Sequence, residues 1–159
     1  MSRMSLTDYG AQVRRLAERH LRKNKPDRLA GLCTACSLAL AVSLQSDGIE
    51  AEFVHGRYGC KYLGCPHSWV EAEGSIIDVT ATQFHWRRAK VFICQTGHQK
   101  YIAFKRYPNL EGVFFQLSAM NRSLFLEMAG VRHRVDELFG SALWIEAQER
   151  IGNPEEVRR

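Results

Sequence analysis

The spacing of apolar and polar positions changes several times along the chain, and each change marks an element. From about Thr7 to Lys23, "TDYGAQVRRLAERHLRK" repeats Val13, Leu16, Ala17 and His20 at helical spacing, with Arg15, Arg19 and Arg22 on another face. That pattern predicts an amphipathic helix. A Lys/Asn/Pro/Asp segment interrupts it. Between Leu32 and Leu44 the period disappears, because Leu32, Ala35, Leu38, Ala39, Leu40, Ala41, Val42 and Leu44 fill nearly every helical direction. A helix that is apolar all round belongs inside a core, so a buried helix is predicted over 33–46, with small alanines that let a sheet come close. After the Asp47-Gly48 turn the alternation has a period of two, which predicts strands near 50–56, 67–72 and 75–80. "KVFICQ" and "YIAFKRY" read as two further strands, helical patterns return at 112–129 and 133–149, and the ends are expected to fray.

This order of elements predicts an α+β protein, and 159 residues fit one domain with a single core. The longest apolar run, Leu38 to Leu44, falls far short of the ~20 residues needed to cross a bilayer. No targeting segment is recognisable, so a cytoplasmic location without membrane attachment is expected. Five cysteines in that compartment would stay reduced, and the odd number argues against a complete disulfide framework. The net charge of +5 comes largely from the N-terminal third and from "RRAK" at 87–90. No nucleic-acid motif or base-stacking platform accompanies it, so no nucleic-acid partner is expected, whereas an acidic partner is compatible with it.

Chemistry concentrates at two places. Cys33 opens the apolar helix, and helical side chains tilt toward the N-terminus, so its sulfur projects past the helix end. Unpaired amides and the positive end of the helix dipole favour a thiolate there, and the same amides can donate to a nascent oxyanion. Cys36, one turn further in, has apolar neighbours and reads as inert packing.

The second place is "CPHSWVEAEGSIIDVTATQF", residues 65–84. His67, Trp69 and Glu71 alternate with Ser68, Val70 and Ala72, and "SIIDVT" reads as the returning strand of a hairpin. With Ala72-Glu73 as the turn, His67 lies opposite Asp78; with Glu73-Gly74, the two are diagonal neighbours on the same face. A three-residue loop would separate them to opposite faces. Glu71 shares the face of His67 but lies about 13 Å along the strand, too far to orient the ring. Asp78 is therefore the expected partner of His67.

Taken together, these residues resemble the transglutaminase-like superfamily, a branch of the papain-like cysteine enzymes. Its pattern of G-x-C, a small and apolar helix, and G-I-x-A-x-x-V-x-G is met by Gly31, Cys33, Gly48-Ile49, Ala51, Val54 and Gly56. Its H-x-W-x-E and D-x-T are met by His67-Ser68-Trp69-Val70-Glu71 and Asp78-Val79-Thr80. The resemblance implies a papain-like core with a buried nucleophile helix packed on an antiparallel sheet. Residues 30–84 would form that core, and 85–159 accessory strands and C-terminal helices. It implies Cys33 as nucleophile, His67 as general base and acid, and Asp78 as the residue orienting His67. The expected reaction is acyl transfer from an amide of a protein or peptide, glutamine-bearing or acidic, through a thioester and without cofactor or metal. Water as acceptor gives a peptidase, amidase or glutamine deamidase, and an amine gives a transglutaminase. Hydrolysis ranks first because excluding water takes dedicated walls. The chain departs from the pattern at Asp27, where papain-like enzymes often carry a glutamine, and in having no tryptophan upstream of Cys33.

Two other readings compete. Cys33, Cys36, Cys60, Cys65 and His67 could supply a structural zinc site, with Cys94 and His98 in reserve. Alternatively, Cys33-x-x-Cys36 could be a thiol-disulfide pair, although no apolar strand leads into it. Trp69 is expected to shield the imidazole or contact substrate, Gln83 to donate to a substrate carbonyl, and His55 to lie in the core with Ala51 and Phe53.

Overall fold

The computed structural model describes residues 3–24, 31–59, 64–84 and 88–117, together with Asn121 and Phe125. The helices are α1 (Leu6–Asn24), α2 (Cys33–Ser46) and α3 (Leu110–Gln116). The strands are β1 (Ala51–Tyr58), β2 (Cys65–Ala72), β3 (Ser75–Asp78), β4 (Phe92–Gln95) and β5 (Tyr101–Tyr107), with a 3-10 turn at Ala81–Gln83. Among the described residues all strand pairings are antiparallel, in the spatial order β4-β3-β2-β1-β5. The expected α+β architecture, with helices packed on an antiparallel sheet, is what the chain forms.

Helix α1 starts where Ser5 and Asp8 cap each other: the Asp8 amide donates to Ser5 Oγ, and the Ser5 amide to Asp8 Oδ2. Every residue of α2 from Ala35 to Leu44 is buried, as an all-apolar helix requires. It covers one face of the sheet, where Leu38, Leu40 and Val42 join Phe53, Val70, Ile77 and Val79 in the main core. A smaller cluster of Val54, Trp69, Ile76 and Tyr101 covers the opposite face, flanked by Tyr58, Phe92, Cys94 and Ala103. The two clusters follow from strand alternation, since Val70 and Trp69 are neighbours that point to opposite sides.

Several boundaries differ from expectation for local reasons. Strand β3 stops at Asp78 instead of Thr80, because Asp78 Oδ1 accepts the Thr80 amide at 2.9 Å and the Thr80 hydroxyl at 3.1 Å, which bends the chain away. Helix α3 begins at Leu110, earlier than the apolar pattern implies, since the Asn109 side chain accepts the Glu111 amide and caps it. His55 is exposed rather than in the core, and its Nδ1 lies 3.2 Å from Ser68 Oγ. Strand β1 pairs irregularly with β5 between His55 and Gly56, which disturbs the simple alternation that the sequence suggested. The pattern over 133–149 and most of that over 112–129 lie outside the described residues. No helix among the described residues is long and apolar enough to cross a membrane.

Candidate functional site

The hairpin of β2 and β3 sets the first half of the site. Glu73 and Gly74 both have positive φ, 52° and 73°, and Ala72 pairs with Ser75, so the connection is a two-residue turn of the kind that matches strand twist. With Val70 opposite Ile77, His67 and Asp78 are diagonal neighbours on the face away from α2. His67 Nε2–H donates to Asp78 Oδ2 at 2.7 Å, and both side chains are fully buried.

Asp78 is saturated with donors. Besides His67, Oδ2 accepts the Tyr101 hydroxyl at 2.8 Å, while Oδ1 takes the Thr80 amide and hydroxyl. Burial pushes this carboxyl up, but the hydrogen bond and charge of His67, then the Thr80 amide and Tyr101 hydroxyl, bring it net below the usual carboxylate range. Four donors on two oxygens make it an anion at neutral pH.

Cys33 reaches this pair through a gap in the sheet. Strand β3 pairs only with Val70, Glu71 and Ala72 of β2, so the upper part of β2 has no β3 partner. The N-terminal turn of α2 docks there. Ser37 Oγ donates to the Ser68 carbonyl at 3.0 Å, which fixes the start of α2 against the unpaired edge of β2. Helix α2 has no side-chain cap and no acidic residue in its first turn, so its positive end is left for an anion. Burial pushes the Cys33 thiol up. The hydrogen bond and charge of His67, the Ser68 amide and the Thr34 hydroxyl outweigh it and hold the thiol below its ordinary value. In the same way burial lowers His67, but Asp78 and Cys33 raise it to about 9. Both shifts favour a thiolate beside an imidazolium, with the Asp78 carboxylate behind the ring. Cys36 shows the contrast: it is fully buried, and desolvation pushes it up to about 12.

The remaining expected residues fall as follows. The Gln83 amide lies 3.4 Å from His67 Nδ1, the nitrogen not used by Asp78, and donates to Thr80 Oγ1 at 3.2 Å. Trp69 is fully buried against His67, with ring centroids 6.1 Å apart, and its Nε1 donates to Glu71. Glu71 is further held by Arg106 at 3.2 Å, which removes it as a competing carboxylate. Cys65 is exposed, Cys94 lies on the aromatic face, and His98 Nδ1 accepts the Lys100 amide. Cys60 lies outside the described residues. Among the described residues, no group of three His, Cys, Asp or Glu side chains converges as a metal site.

Sequence reasoning missed three contributors. The Asp78-x-Thr80 spacing is a legible turn signal that could have revealed the Thr80 donors. Nothing local marks Tyr101, which arrives only through the sheet order. Arg14 was hidden by its regular place in an amphipathic helix. It is buried, and its Nη1 donates to the Val79 carbonyl at 2.9 Å and to Thr82 Oγ1 at 3.0 Å, clamping the segment between Asp78 and Gln83 to α1.

An array of this kind can deliver a sulfur nucleophile and return a proton from the same ring, with its amides beside the reacting atom. No protein-family model, curated protein or solved structure gave a match to the chain.

Proposed function

We propose that this protein is a cysteine acyl-transfer enzyme with a papain-like, transglutaminase-like core, in which Cys33 is the nucleophile, His67 the general base and acid, and Asp78 the orienting residue. The observation that carries the reading is a buried imidazole bonded through Nε2 to a carboxylate at 2.7 Å while it also interacts with the thiol at the start of a helix. The Cys33 thiolate attacks an amide carbonyl, forming the C–S bond as the carbonyl π pair moves to oxygen. The Cys33 amide, at the open end of α2, donates to that oxyanion, and the Gln83 side chain is well situated as a second donor. Collapse of the intermediate breaks the C–N bond, and the leaving nitrogen takes the proton that His67 carries. In the second half-reaction His67 removes a proton from the acceptor, which attacks the thioester and releases the thiolate. Water is the favoured acceptor, giving a peptidase, amidase or glutamine deamidase acting on a protein or peptide, and no cofactor is needed.

The test is labelling with an iodoacetamide probe near pH 7, followed by peptide mapping. Cys33 should be modified selectively, and His67→Ala should slow that modification at least ~10-fold, because the thiol loses the partner that most lowers its pKa. Equal labelling of all five cysteines would overturn the proposal.

A further inference from the structure

Beside the site, Arg88 carries a charge that no carboxylate among the described residues answers. Its guanidinium carbon sits 4.3 Å from the centre of the Phe92 ring and 5.0 Å from that of Tyr58. The residue is only partly exposed, and its Nη1 is buried with no hydrogen-bond partner. Arg3, Arg14 and Arg106, by contrast, pair with glutamates, and the Nη1 of Arg57 donates to the Gly64 carbonyl at 2.7 Å. Two aromatic faces recover part of the desolvation cost of a guanidinium, but they offer no lone pair to a buried N–H. Asp78, on the strand that pairs with Phe92, has no capacity to spare because four donors already occupy it.

The location of Arg88 gives the unpaired cation meaning. Tyr58 meets the edge of His67, with centroids 6.3 Å apart, and stacks on Phe84 at 4.1 Å. Phe84 in turn meets His67 edge to face at 4.7 Å. One aromatic ring therefore separates the guanidinium from the imidazole. A two-oxygen anion matches the guanidinium fork, and with the Phe92 face on one side of the guanidinium and the steeply inclined Tyr58 ring on another, a compact carboxylate suits the space at its remaining edge.

We infer that Arg88, between Tyr58 and Phe92, forms a subsite for a carboxylate of the substrate, so that the amide attacked belongs to a molecule with an acidic side chain or a free carboxyl terminus a few bonds from the scissile carbonyl. This inference rests on the acyl-transfer reading. Arg88 then acts as a specificity residue: it fixes the substrate's distal end while Cys33 meets its carbonyl.

The test uses a graded series of alkylating pairs, namely N-iodoacetyl glycine, β-alanine and 4-aminobutyrate, each against its own terminal amide. In the native protein one acid should alkylate Cys33 about tenfold faster than its amide, the size expected of one charge-assisted pair at a partly exposed site. Arg88→Met should bring that ratio to about one, and Arg88→Lys, which keeps the charge without the fork, should leave it between the two. Equal ratios in the native and Arg88→Met proteins at every length would overturn the inference. Titration with the unreactive N-acetyl acids and amides separates this outcome from an inert thiol. Acid-selective binding lost in Arg88→Met would support the subsite even if Cys33 did not alkylate, and binding without acid preference would overturn it.

Discussion

At the scale of the residue, the site is a set of opposed pKa shifts. Cys33 is held below its ordinary value and His67 is raised to about 9, so thiolate and imidazolium coexist across a window that opens below the usual thiol range and closes near pH 9. On the proposed chemistry, amide turnover rises as Cys33 ionises and falls as His67 loses the proton the leaving amine needs, giving a bell-shaped profile. Asp78 is the principal group that raises His67, so Asp78→Asn should move the falling limb down in pH. The same change weakens the imidazolium that lowers Cys33, so the rising limb should move up. The window narrows from both sides, and turnover at its centre should drop by ~10²–10⁴-fold; a pH–rate profile of kcat/KM checks this. A falling limb that stays near pH 9 in Asp78→Asn would separate the carboxylate from the titration of His67. His67, Asp78 and the thiol position of Cys33 were legible in the sequence because each lies on a regular element with a readable period. Tyr101 and the Ser68 amide were not, since one depends on which strands become neighbours and the other on where β3 stops.

At the scale of the element, the decisive features are the short β3 strand and the close approach of β5 to β1. The period of α2 and its boundaries could be read directly, because a run with no polar face has only one place to go. The hairpin could be read down to a choice between two turns, and the positive φ of Glu73 and Gly74 decides it. The β5 contact could not be read: a Cβ on Gly56 would fall 2.0 Å from the Ile102 carbonyl oxygen and 2.8 Å from Trp69 Cη2. Backbone on one side and a fully buried indole on the other leave no room to yield. Gly56→Ala should lower unfolding free energy by about 3 kcal/mol or more, at the upper end for overpacking, measured by urea denaturation. Because Gly56 pairs with His67 and underlies Trp69, the variant should also lose Cys33 selectivity toward iodoacetamide. An unchanged unfolding midpoint would mean that β5 can slide away freely.

At the scale of the whole molecule, distant parts of the chain are tied to the site by a few polar anchors. Arg14 of α1 holds the Val79 carbonyl and Thr82, while its Nε pairs with Glu18, which also holds Lys90 at 2.8 Å. Replacing Arg14 with Met would strand a buried carbonyl and free the segment leading to Gln83. Unfolding free energy should fall by about 2–3 kcal/mol, with Arg14→Lys recovering part of it; differential scanning calorimetry on the pair checks the order. The thiol and the imidazole have different roots, α2 in the main core and His67 against the aromatic cluster on the other face. A nascent or half-collapsed chain that has built only one of these layers therefore holds a sulfur with no base beside it. On the proposed chemistry, reactivity would therefore emerge only once both layers are in place, which keeps the sulfur chemically silent in an unfinished molecule.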